Sequence, residues 1–135
     1  MVEEIRINDE LWAIIVRDDF KKEGITFFTD NDSSQQLAFM NHPKGKLIQA
    51  HIHNPVPRAV DYTQEVLFIK SGKLSVDFFD VDCRKIDSKI LTKGDVILLC
   101  KGGHGFEVIE DLTMIEVKQG PYIGELDKTK LDIIN

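Results

Sequence analysis

The chain has 135 residues, 17 Lys+Arg against 23 Asp+Glu, a formal net charge of −6, and 42% hydrophobic residues. That length suits one domain, and the apolar share is enough for an ordinary core rather than a disordered solvating segment. An acidic balance argues against non-specific DNA or RNA binding, because phosphates must be neutralised by Lys and Arg.

The chain opens Met1-Val2-Glu3-Glu4-Ile5-Arg6, acidic and without the basic start and long apolar run of a signal peptide. The longest apolar runs, residues 11–16 and 96–100, fall far short of the ~20 residues that span a bilayer. Cys83 and Cys100 make no disulfide framework. The expectation is a soluble cytoplasmic protein with free thiols and no membrane partner.

In chain order, residues 11–16 are apolar on both alternating faces and predict a strand that must be covered on each side. It fits either the centre of one barrel or a dimer interface, and a homodimer is expected. Residues 32–40 follow a Ser/Asp-rich start and suit a short helix. In residues 46–53 the period is two: Leu47, Gln49, His51 and His53 share one face, Ile48, Ala50 and Ile52 the other. A loop follows over residues 54–64, stiffened by Pro55 and Pro57.

Residues 65–70 predict a strand with Glu65, Leu67 and Ile69 on one side. Ser71-Gly72 has the composition of a tight hairpin turn, and Leu74, Val76 and Phe78 line one face of the stretch after it. Lys93-Gly94-Asp95 precedes the apolar run 96–100. His104, Phe106 and Val108 alternate with Gly105, Glu107 and Ile109, and residues 112–118 are again strand-like. Residues 125–134 suit a short C-terminal helix, with Leu126, Leu131 and Ile134 on one side. Short strands broken by Gly and Pro predict an all-β sandwich or barrel in one domain, residues 1–135.

Three of the four histidines fall in two places. His51 and His53, at i and i+2 of a predicted strand, project to the same face. His104 lies about fifty residues on, after a glycine-bearing turn, and a His from a neighbouring strand completes a facial set. Neutral imidazole is the commonest metal ligand and suits Zn, Fe, Ni and Cu. Glu65 opens the strand that returns from the loop after His53, so it is the natural carboxylate beside the pair. His42, in Asn41-His42-Pro43, has a turn-like setting and no such company.

The run from Gly45 through His51-Ile52-His53 and Glu65 to Gly72 resembles the first motif of the cupin superfamily, G-x5-H-x-H-x3-4-E-x6-G. The run from Gly94 through Cys100-Lys101-Gly102-Gly103-His104 to about Val108 is similar to the second motif, G-x5-P-x-G-x2-H-x3-N. The resemblance implies a single double-stranded β-helix, a cupin jelly-roll barrel whose mouth holds a divalent transition metal such as Fe, Mn, Zn or Ni. It implies His51, His53, Glu65 and His104 as the ligands. Eleven residues separate His53 from Glu65 where the motif has three or four, Cys100 stands at the motif's Pro, and Val108 stands near its final Asn. A loop absorbs such an insertion far more easily than a strand does.

Around that set, Arg58 suits bidentate contact with a substrate carboxylate or phosphate, and Tyr62 suits stacking or hydrogen bonding. With Glu65 they are the candidate catalytic residues. Gln49 needs a polar partner if it faces inward, and so does Glu116 in mid-strand. Cys100 reads as a buried small residue, Phe78 and Phe106 as barrel lining, and Glu107 as exposed. The expected function is a metal-dependent enzyme acting on a small polar or acidic molecule, sugar derivatives included. The alternatives are a non-catalytic ligand- or metal-binding cupin, and a metal-independent isomerase- or epimerase-like cupin that works by His acid/base chemistry.

Overall fold

The computed structural model describes residues 1–134 of the chain. By its contacts the chain forms two compact units, Met1–Phe20 with Tyr62–Asn135, and Lys21–Asp61.

The first unit holds one six-stranded antiparallel sheet. Its strands are β1 (Val2–Ile7), β2 (Glu10–Val16), β5 (Glu65–Phe79), β6 (Lys85–Thr92), β7 (Val96–Leu99) and β8 (Gly103–Lys118). The order runs β1-β2-β7-β5-β6, with β8 on the other edge of β5. Residues 11–16 lie in β2, between β1 and β7, and Ala13, Ile14 and Ile15 are wholly buried. Of the two placements open to an apolar two-sided strand, the interior of one sheet is the one observed.

The 15-residue strand β5 organises the sheet. Its first residues, Glu65–Phe68, pair with β7, and Lys73–Phe79 pair with β6 along the same edge. β8 pairs with its other edge from Glu65↔Lys118 to Phe79↔Gly103. A straight strand would hold Glu65 and Phe78 about 43 Å apart. Yet His104, the register partner of Phe78, touches Glu65. The β5/β8 ribbon therefore curls back on itself, and the sheet forms a half-barrel.

The curl has a visible cause. The β5/β8 register shifts between Ile69 and Ser71, between Ser71 and Lys73, and between Lys73 and Leu74. Such bulges bend a strand and increase its twist. Gly72 lies at their centre with φ +91°, and a Cβ there would stand 2.0 Å from the Asp111 carbonyl oxygen. Ser71-Gly72 is thus a bend within one continuous strand rather than the tight hairpin turn its composition predicts. A hairpin needs the chain to reverse, and here both halves keep β8 as a common partner.

The core fills the concave side. Leu67, Ile69, Leu74, Val76, Phe78, Leu91 and Ile97 are fully buried, and Trp12 packs with them. At the corner between β6 and β7, the buried carboxylate of Asp95 accepts hydrogen bonds from Asp18 N–H, Thr92 N–H and Arg17 Nη1 at 2.9–3.0 Å. Arg17 also donates to Glu3 and to the Ile90 carbonyl, so one cluster ties β1, β2 and β6 together.

The second unit holds the antiparallel pair β3 (Gly24–Phe27) and β4 (Ala38–Asn41). Thr29 donates to Gln36 Oε1, and the Gln36 amide caps the Asp30 and Ser33 carbonyls, which closes the connecting loop. Residues 32–40 are therefore loop and strand rather than helix, because Gln36 satisfies the backbone laterally instead of along an axis. Residues 46–53 form no strand: their alternation is real, but no ladder partner stands beside them among the described residues. Near the C-terminus only a 3-10 turn, Gly124–Asp127, takes the place of the expected helix over 125–134. Its side chains are unburied, and the residues after it are held from outside rather than by helical turns, with Leu131 against Gly103 and the Ile134 N–H on the Cys83 carbonyl.

Candidate functional site

The glycine-bearing turn before His104 is set by Trp12. The Cys100 amide donates to the Trp12 carbonyl at 2.8 Å, and the indole lies against Gly102, where a Cβ would stand 2.3 Å from the ring. Gly102 has φ +83°, open to glycine and strained for any other residue. This close approach delivers the chain into β8 and aims His104 along the concave side, across from the buried Phe78. Alternation then puts Phe106 and Val108 on the same side, and the Phe106 ring lies 5.4 Å from that of His104.

Glu65 reaches the same place from the other end of the ribbon. His104 Nε2 donates to Glu65 Oε1 at 2.7 Å, with the Glu65 side chain 12% exposed and that of His104 29%. Glu116, opposite Leu67 in the β5/β8 register, lies on the same side as Glu65 but is exposed, and its carboxyl interacts with that of Glu65. The His104 hydrogen bond holds the Glu65 carboxyl down at about 2, against burial, which pushes it up. Glu116 moves the other way: its hydrogen bond to Glu65, burial and the neighbouring charge raise it. Two carboxyls this close resist ionising together, so of the two Glu65 loses its proton the more easily and Glu116 the less.

This row, His104–Glu65–Glu116, is the site the first unit builds. Glu116 is exposed, so the partner that an inward-facing carboxyl would need is not demanded of it, and its neighbour is Glu65. Lys118, the register partner of Glu65, adds a positive charge that further lowers it. Nothing in the sequence singled Lys118 out; its place follows from the β5/β8 register alone.

His51 and His53 lie in the second unit. Their rings meet edge to face with centroids 5.1 Å apart, and His51 Nδ1 is 2.9 Å from the Gln49 carbonyl. The i, i+2 pair thus shares a side without belonging to a ladder. Gln49, expected to face inward, is exposed. Arg58 is exposed and donates weakly to the Val56 carbonyl. Tyr62 is exposed, with the Lys101 ammonium 5.9 Å from its ring. The Nε2 atom of His42 is buried without a hydrogen-bond partner. Cys100 is a buried free thiol pushed up to about 11 by burial, and Cys83 is also free.

The donor types and the Glu65–His104 spacing suit two neighbouring ligands on one ion. With metal–ligand bonds near 2.1 Å, donors at right angles stand about 3 Å apart. Among the described residues, no group of three or more His, Cys, Asp or Glu side chains stands close enough to hold a metal by itself. The geometry therefore offers half of a coordination sphere, or an oriented acid/base pair. No protein-family model, curated protein or solved structure matches this chain. No helix is long and apolar enough to cross a membrane among the described residues.

Proposed function

We propose that the chain is a small cupin-like metal-binding protein, with His104 and Glu65 as one pair of ligands and His51 and His53 as the other. The observation that carries this reading is the 2.7 Å approach of Glu65 to His104 from opposite ends of a bent ribbon. A carboxylate held near pKa 2 is ionised at all ordinary pH, as a ligand must be. Glu116 stands beside Glu65 where an outer partner of a ligating carboxylate would stand. A divalent transition metal bound there would supply Lewis-acid or redox chemistry at open coordination positions. The substrate class that fits is a small polar or acidic molecule. Its negative charge would meet Lys118 beside Glu65, while Arg58 and Tyr62, each exposed, keep the roles their side chains suit.

One observation favours a second reading. His104–Glu65–Glu116 is also the arrangement of a histidine oriented by a carboxylate, which can move a proton without any metal. In that case His104 is the acid/base group, Glu65 fixes its ring, and Glu116 stands beside Glu65.

Elemental analysis of untagged protein separates the two. The metal reading expects about one transition-metal ion per chain. It also expects loss of that ion, and of the thermal stabilisation on adding metal, in Glu65→Gln and His104→Ala. Protein that binds no metal, and whose melting temperature no added metal raises, overturns it. Turnover that survives chelation but is lost in His104→Ala establishes the acid/base reading instead.

A further inference from the structure

Two features of the chain are each incomplete. The first is an edge. Among the described residues β8 pairs with β5 and with no other strand, so its outer row of N–H and C=O groups has no ladder partner. An open edge is a template for another strand. Along residues 103–109 the concave-side neighbours of His104 are apolar and poorly covered: Phe106 is 41% exposed and Val108 58%. The second feature is a segment. Residues 46–53 alternate with the period of a strand yet form none, and Leu47 and Ile52 are left 87% and 84% exposed. A strand pattern with apolar residues in water is a strand without its sheet.

We propose that two copies of the chain exchange residues 46–53, each laying this segment as an added strand along residues 103–109 of its partner's β8. The lengths agree, since eight residues extend about 26 Å and seven about 23 Å. The charges agree as well. Residues 46–53 carry Lys46 and no acidic residue, and residues 103–109 carry Glu107 and no Lys or Arg. The two features are complementary and each chain has one of each. A reciprocal exchange uses both and closes at two, the isologous geometry of most homodimers. The added strand covers Phe106 and Val108 and removes the open edge.

The exchange also completes the site, and to that extent it rests on the metal reading above. A strand seated beside residues 103–109 brings His51 and His53 of the partner subunit to the side of the sheet where Glu65 and His104 meet. The second pair of ligands then comes from the other copy, and a dilute monomer holds only half of the coordination sphere.

The test is made on the full chain with chelator present, so that it does not depend on metal. Sedimentation across micromolar concentrations is expected to show a dimer. Hydrogen exchange is expected to show amides in 46–53 and 103–109 protected in the dimer and released together on dilution. N–H groups alternate sides along a strand, so one of Gln49→Pro and Ala50→Pro must delete a ladder bond. That variant is expected to be monomeric, with a far-ultraviolet β signal reduced only by the lost added strand. A wild type monomeric throughout overturns the exchange, as does a monomer with residues 46–53 already protected, which signals pairing within one chain. A dimer with freely exchanging 46–53 amides, or two proline variants that both remain dimeric, does the same. A chelated dimer that takes up no metal overturns only the metal reading, and a monomer that binds metal overturns only the exchange.

Discussion

Glu65 and Glu116 show how one geometry sets two opposite titrations. Glu65 has a folded pKa near 2 against an ordinary 4.5, so its ionised form stabilises the fold. That contribution is complete above about pH 4.5 and is lost as the pH falls toward 2. Glu116 is raised, so its contribution has the reverse sign: the fold resists ionising it, and stability drops as pH rises through its ordinary range. The Glu65 shift alone is worth at most about 3 kcal/mol, and Glu116 offsets part of it. Urea unfolding of the metal-free protein should therefore show stability declining between pH 4.5 and 2. In Glu65→Gln the Glu65 part of this acid limb should disappear. Glu116→Gln removes the neighbouring carboxyl and leaves Glu65 beside His104, so the limb should persist while stability near neutral pH is kept or rises. An acid limb unchanged by Glu65→Gln would show that other carboxylates set it.

At the scale of the element, the bend in β5 decides whether Glu65 and His104 meet at all. Gly72 is the residue that permits it, by its positive φ and by the absence of a Cβ against the Asp111 carbonyl. Gly72→Ala adds both a strained backbone and a clash, which together cost about 2–5 kcal/mol. The fluorescence of Trp12, the chain's single tryptophan, reports the loss as a lower urea midpoint. A variant as stable as the wild type would mean that the ribbon does not need this bend.

The two strand-like halves of β5 were legible in the sequence, since Leu74, Val76 and Phe78 line one face of the second and Glu65, Leu67 and Ile69, less cleanly, one side of the first. That Ser71-Gly72 joins them without reversing was not legible. Glycine marks both a hairpin and a bulge, and the choice depends on a partner strand forty residues away. Residues 46–53 teach the same lesson from the other side. Period two states which face each side chain takes and leaves the neighbour unspecified. Of the site, Glu116 could be singled out by its place in mid-strand, but not its exposure. The Glu65–His104 contact follows from the curl of the ribbon, and Lys118 only from its register.

Across the first unit as a whole, the sheet is held by pairings between distant parts of the chain. β2 pairs with β7, and β7 with the start of β5, so the N-terminal strands cannot dock until the chain beyond residue 96 is in place. The Arg17–Asp95 cluster sits at that junction. Asp95 is 3% exposed, and its carboxylate accepts from two backbone amides as well as from Arg17 at 2.9 Å. Asp95→Ala leaves those amides unpaired and Arg17 with only Glu3 and the Ile90 carbonyl. Leaving buried partners unsatisfied in this way costs about 2–4 kcal/mol. Asp95→Asn keeps one acceptor oxygen but turns an N–H toward a backbone donor, and should fall between the wild type and Asp95→Ala. The loss belongs to the whole sheet, because the cluster joins β1, β2 and β6 rather than stabilising one turn. Thermal unfolding followed by Trp12 fluorescence and by far-ultraviolet dichroism should show one shared transition at a lower temperature in both variants. Separate transitions, with Trp12 released before the β signal, would mean that β1 and β2 melt as a flap and that the cluster is only a local clasp.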